Sequence, residues 1–170
     1  MEGMIAGRTA SDMPGLDIAE QRSWQNFLDS ALRLYATLNR ALVETHHLTL
    51  NDVRLLDMLD KSPTGAARMG DLADGLMSLP SRVTRQIRRL EMQGLVSREA
   101  SPDDGRGVLA SITDGGRTLV RHAMVTYGDG VRAHFLGRLS RPQIAAMGEN
   151  CRRISVGLKS GTVPAKLGRV

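Results

Sequence analysis

The sequence predicts a mainly α-helical chain with one small β-hairpin, and three observations predict it. Apolar residues recur at three- and four-residue steps over long stretches toward both ends. Capping signatures, Thr49 with Asp52 and Ser140 with Gln143, announce helices between them. A polar, glycine-containing loop, SPDDGR, joins two short runs that suit strands.

Taken in order, residues 1–16 mix Gly, Ser, Pro and Met without periodicity and read as a mobile tail, as do residues 160–170. Residues 17–47 hold the first long helix, in which Trp24, Phe27, Leu28, Ala31, Leu34, Tyr35, Leu38 and Leu42 share one stripe. Thr49 caps a second helix carrying Val53, Leu55, Leu56 and Leu59, which stops near Ser62-Pro63. A short segment, 66–69, precedes a brief helix of about 70–76. Ser78 is the expected N-cap of the next helix, because Pro80 then falls in the first turn, where a missing N–H costs nothing. That helix runs to Gln93, with Gly94 in the left-handed position after it.

Residues 95–99 and 107–112 read as the hairpin strands. Thr113 begins a helix with Leu119, Ala123, Tyr127, Val131 and Phe135; Gly128 and Gly130 each weaken it by about 1 kcal/mol and invite a kink. Ser140 and Pro142 open the last helix, where Ile144, Met147, Cys151, Ile154 and Leu158 step by 3, 4, 3 and 4. Such a seam wants another helix against it. The expected architecture is therefore a winged helix-turn-helix at 48–113, between an N-terminal dimerisation helix at 17–47 and C-terminal dimerisation helices at 114–159.

Bulk properties narrow the function. A chain of 170 residues accommodates one cored domain with flanking helices. The formal charge of +5 and pI near 10.1 favour a polyanionic partner, and the basic excess lies downstream, in 114–170. Only 3% of residues are aromatic, too few for a single-strand platform built on stacking, whereas a duplex needs no such rings. One cysteine excludes an intramolecular disulfide or a CxxC site and suits a reducing cytoplasm. The N-terminus lacks a signal peptide's apolar run, so a cytoplasmic protein with no membrane partner is expected.

The helix from Ser78 to Gln93 carries the chemistry. At 100° per residue Val83, Ile87 and Leu90 fall on one side, with Ser81, Arg85, Arg88 and Arg89 nearly opposite and Arg82 and Thr84 on the flanks. In a helix-turn-helix the second helix enters the major groove with its N-terminal part at the base edges. Arg bridges guanine O6 and N7, Ser and Thr reach bases or phosphates, and Arg88 and Arg89, a turn later, suit phosphates. A solvated basic face would explain this helix alone; the hairpin after it favours DNA. At the hairpin tip Arg106 can enter the adjacent minor groove, oriented by Asp104 two residues earlier.

The run RMGDLADGLMSLPSRVTRQIRRLEMQGLVSREASPDDGRGVLASITDGG resembles the DNA-binding core of the MarR (multiple antibiotic resistance regulator) family. Its marks are SRVTRQIRRLEMQGLV, DGR at the wing tip and ITDGG opening the next helix; a weaker similarity spans about residues 20–160. The resemblance implies a homodimer with intertwined outer helices, reading a pseudo-palindromic duplex operator. At matching positions it implies that Ser81, Arg82, Thr84 and Arg85 read the groove and that Asp104 with Arg106 form the wing pair. Arg88 departs from the acidic or smaller residue that many members carry. The resemblance also implies release of DNA by a small anionic or aromatic effector between the dimer helices and the winged domain, where Trp24, Asp57 and Arg68 lie approximately.

The function expected is thus a dimeric, sequence-specific DNA-binding transcriptional regulator, a repressor released by a small molecule. The alternatives are a non-specific architectural DNA-binding protein and a winged-helix module for a ligand or protein partner. No enzyme, cofactor or metal site is expected. His46, His47, His122 and His134 lack a completing Cys or carboxylate cluster, and no Ser-His-Asp arrangement or glycine-rich phosphate loop is recognisable. Cys151, on the apolar seam, is expected to be a buried small hydrophobe rather than an oxidant sensor.

Overall fold

The computed structural model describes residues 13–100 and 107–160. Its elements follow in the order α1 (Ile18–His46), α2 (Leu50–Lys61), β1 (Ala66–Arg68), α3 (Met69–Gly75), α4 (Pro80–Met92), β2 (Val96–Ala100), β3 (Val108–Ile112), α5 (Asp114–His134) and α6 (Arg141–Ser160). A 3-10 turn at Leu136–Arg138 separates the last two helices.

Local chemistry starts most of the helices. Asp17 and Glu20 cap α1 reciprocally, each carboxylate accepting from the other's backbone N–H at 2.8 Å. Thr49 and Asp52 do the same for α2, and the Thr113 hydroxyl accepts from Gly116 N at 3.0 Å at the start of α5. For α6, Ser140 N donates to Gln143 Oε1 at 2.8 Å.

At α4 the expected cap is corrected: Leu79, not Ser78, is the N-cap, and no side chain caps it. The cause is the turn before it. Met77 adopts a left-handed φ of 51°, Met77 N donates to Asp74 O at 3.0 Å, and Ser78 N donates to Ala73 O at 2.9 Å. This double closure ends α3 and uses Ser78 as its last residue, so the helix begins one residue later, on Pro80. Gly94 closes α4 in the same way, with φ 71° and Leu95 N donating to Leu90 O at 3.0 Å.

The sheet is antiparallel in the order β1-β3-β2. Ala67 lies opposite Ala110 and Arg98 opposite Ala110 on its other side, so β3 is the central strand. Around it the core gathers Leu38 and Leu42 of α1, Val53, Leu55, Leu56 and Leu59 of α2, Leu72 of α3, Val83, Ile87 and Leu90 of α4, and Val120 and Ala123 of α5. Full burial of such a side chain contributes about 1.5–3 kcal/mol. α5 is one continuous helix through Gly128 and Gly130. Gly130 instead lets α1 approach: a Cβ on it would lie 2.6 Å from Leu38 Cδ2.

Two ends of the chain leave this core. Trp24, Phe27, Leu28, Leu32 and Tyr35 of α1 are exposed, and no residue of 141–159 is buried. Cys151 is accordingly exposed in the single chain, because the seam Ile144, Met147, Cys151, Ile154 and Leu158, expected to pack against a second chain, is not covered by any helix of its own.

Candidate nucleic-acid interface

α4 is seated by its apolar stripe: Val83, Ile87 and Leu90 are fully buried. The period of 3.6 then sends Ser81, Arg82, Arg85 and Arg88 outward, and all four are exposed. Thr84 is half-buried on the flank, and its hydroxyl donates to Pro80 O at 2.9 Å. With that proton committed, its oxygen acts toward a ligand as an acceptor and its methyl remains an apolar contact.

Arg89 departs from the expectation that it shares the outer face. Its Nη2 donates to Asp52 Oδ1 on α2, across the helix-turn-helix. Asp52 is completely buried and also accepts from Gln86 Nε2 at 2.9 Å, from Thr49 N at 2.8 Å and from Thr49 Oγ1 at 2.6 Å. One carboxylate therefore caps α2 and ties it to α4. Sequence reasoning recognised Asp52 only as a capping residue and missed Gln86. The available signal was that Gln86 and Arg89, three apart, edge the apolar stripe of α4, where a polar residue needs a partner.

Above Asp52 an open depression of about 270 Å³ lies between α2 and α4, lined by Thr49, Asn51, Arg82, Arg85, Gln86 and Arg89. With Arg89 already paired to Asp52, the guanidinium groups of Arg82 and Arg85 leave the depression net cationic and attractive to anions. The wing is braced beside it: Arg98 on β2 pairs with Glu91 on α4 at 2.6 Å. The Thr113 hydroxyl donates to Gly94 O at 2.7 Å, which couples the end of α4 to the start of α5. Asp104 and Arg106, the expected wing-tip pair, lie outside the described residues.

The three effector candidates do not line this depression. Trp24 is 48% exposed on α1, its ring 6.0 Å from that of Phe27. Asp57 pairs with Lys61 one turn along α2 at 2.7 Å, and Arg68 ends β1. Among the described residues no three His, Cys, Asp or Glu side chains are grouped to hold a metal ion, and no helix is long and apolar enough to cross a membrane.

The family model described as "MarR family" matches residues 48–108. An HTH-type transcriptional repressor of Mycobacterium tuberculosis is 36% identical over 98 residues, covering 56% of this chain and 67% of that one. Among solved structures, AbsC, a MarR family transcriptional regulator from Streptomyces coelicolor, superposes with a TM-score of 0.81 at 30% identity, covering 87% of this chain and 99% of AbsC. A second MarR family regulator from the same organism, solved in complex with DNA, also gives 0.81, at 33% identity over 84% of this chain and 93% of that one.

Proposed function

The chain belongs to the MarR family of transcriptional regulators, and from that premise we propose that it binds duplex DNA as a homodimer and represses transcription from a pseudo-palindromic operator. One observation carries the reading: α4 is locked by three buried apolar residues so that Ser81, Arg82, Arg85 and Arg88 project together from the surface. In a major groove Arg85 suits a guanine edge, with Ser81, Arg82 and Thr84 beside it in the groove and Arg88 toward phosphates. From the likeness of the DGR motif to the family's wing, Asp104 and Arg106 are proposed to contact DNA as well. No side chain of the set is assigned to catalysis, and the cytoplasm is where such a protein meets DNA.

The dimer reading rests on the two uncovered apolar faces. Trp24, Phe27, Leu28 and Leu32 on α1 and Ile154 and Leu158 on α6 stay in water in a single chain, Leu158 at 79% exposure. A second copy covering them gains about 25 cal/mol per Å² of apolar surface buried. The division into outer dimerisation helices (17–47 and 114–159) and a DNA-reading unit (48–113) follows from this. A small anionic or aromatic effector lodging near Trp24, Asp57 and Arg68 would loosen DNA by favouring another spacing of the two α4 helices. Trp24 is the sole tryptophan, so its fluorescence reports such binding directly.

Selection of genomic fragments on purified protein, followed by footprinting, tests the proposal. The expected footprint holds two inverted half-sites about one helical turn apart. Equal affinity for every duplex at physiological salt would replace specific regulation by architectural binding. A metabolite or protein bound tightly with no DNA affinity would overturn DNA binding altogether.

A further inference from the structure

Asp52 is the one fully buried carboxylate among the described residues, and its four donors come from two helices. Thr49 belongs to the α2 cap, whereas Gln86 and Arg89 come from α4, 34 and 37 residues further along the chain. Gln86 and Arg89 stand one turn apart, and fixing a helix at two points along one edge sets both its rotation and its axial position. Arg89 is 39% exposed, so its side chain sits at the rim of the depression, within the field of any anion placed there. An arginine free at that rim would bind phosphate on every sequence alike, raising affinity without discriminating between bases.

We infer that Asp52 is a positioning residue of the DNA-reading surface, which withholds Arg89 from the phosphate backbone and, through Gln86 and Arg89 together, orients α4 for base reading. Among the arginines of α4, those left to face the duplex are then Arg82, Arg85 and Arg88. This rests on the DNA-binding reading above, and it adds that specificity is raised by sequestering a cation rather than by adding a contact. The relevant quantity is the ratio of affinities for operator and for random duplex, which falls when a sequence-independent contact is gained.

Fluorescence anisotropy across a salt series tests this, with a random-sequence duplex and the operator recovered by selection as the two probes. Asn at position 52 has one oxygen to keep the Thr49 cap, and its NH2 then opposes the donors of Gln86 and Arg89, so Asp52→Asn frees Arg89. The expected result is a salt slope on random duplex steeper by roughly 1.8 for the dimer, two contacts at about 0.9 each, with a lower specificity ratio. Arg89→Met should leave the wild-type slope unchanged while lowering the specificity ratio. The double variant should return to the wild-type slope, and Asp129→Asn, the same charge change on α5, should not alter it.

A slope flattened by Arg89→Met would show that Arg89 already touches phosphate and would overturn the inference. So would an Asp52→Asn protein that folds, by circular dichroism, with an unchanged slope. Should Asp52→Asn not fold, Arg89→Met decides alone, an unchanged slope upholding the inference and a flattened one overturning it. Wild-type protein that binds neither duplex overturns the DNA-binding reading and this inference with it, whereas binding to both with a flattened Arg89→Met slope overturns the inference only.

Discussion

Arg88→Ala separates a phosphate contact from base reading, and its magnitude follows from the geometry of α4. Ser81, Arg82, Arg85 and Arg88 are exposed while Arg89 is held by Asp52. With Arg82 and Arg85 in the groove, Arg88 is the arginine of α4 left for phosphate, two contacts in a dimer. At about 0.9 per phosphate, Arg88 then contributes about −1.8 to the log–log salt slope, so a fourfold rise in salt weakens its share of binding roughly 12-fold. Removing Arg88 from both protomers takes that share away, so the measured slope should flatten by about 1.8. Anisotropy titrations at several salt concentrations measure the slope directly. The preferred sequence should not change, because phosphates carry no base identity. An unchanged slope, or an Arg88→Ala protein that selects a different operator, would refute the assignment of Arg88 to the backbone.

Other perturbations test the frame that holds this surface. Ile154→Asp places a charge in the proposed dimer face and should give monomers or aggregate by light scattering; an unaltered dimer would show that α6 does not form it. Gly116→Ala sets a Cβ 2.2 Å from Leu95 O and 2.8 Å from Ile112 Cγ1, and since a backbone carbonyl cannot swing aside it should cost about 1–3 kcal/mol in urea unfolding. Met77→Gly relieves a left-handed residue whose side chain is 83% exposed, and should raise stability by about 0.5–1 kcal/mol in the same assay. Glu149 is held below the ordinary glutamate range chiefly by its hydrogen bond from Arg152, with Arg153 adding to the effect. A depressed folded value means that the pair's contribution is present above the unfolded pKa and is lost as pH falls through the folded one. NMR titration of Glu149 should therefore show a lowered midpoint that Arg152→Ala moves back up.

Much of the fold was legible in the chain because its signals are local. The box at Thr49-Asp52, the single bond from Ser140 N to Gln143 and the closure at Gly94 each involve residues within a turn or so of one another, so their chemistry appears in a short window of sequence. The stripe Val83, Ile87, Leu90 separated a buried from an outward face by period alone, which is why Ser81, Arg85 and Arg88 were placed correctly on the outside. The start of α4 was misjudged by one residue because the turn at Met77 takes a left-handed conformation that a methionine does not advertise.

Tertiary structure alone decided the fate of Asp52 and Arg89. On the helical wheel Arg89 belongs with the outer arginines, and Asp52 is complete as the partner of Thr49. They meet because Leu55, Leu56 and Leu59 of α2 and Ile87 and Leu90 of α4 are buried in one common core, which brings two polar edges together, 37 residues apart in the chain. The same holds for Gly130, which reads as a weakness in α5 until Leu38 of α1 is packed over it. Periodicity and capping are set by neighbours along the chain and can be read one segment at a time. Which polar edges face each other depends on how all the apolar stripes are satisfied at once, and no single segment contains that information.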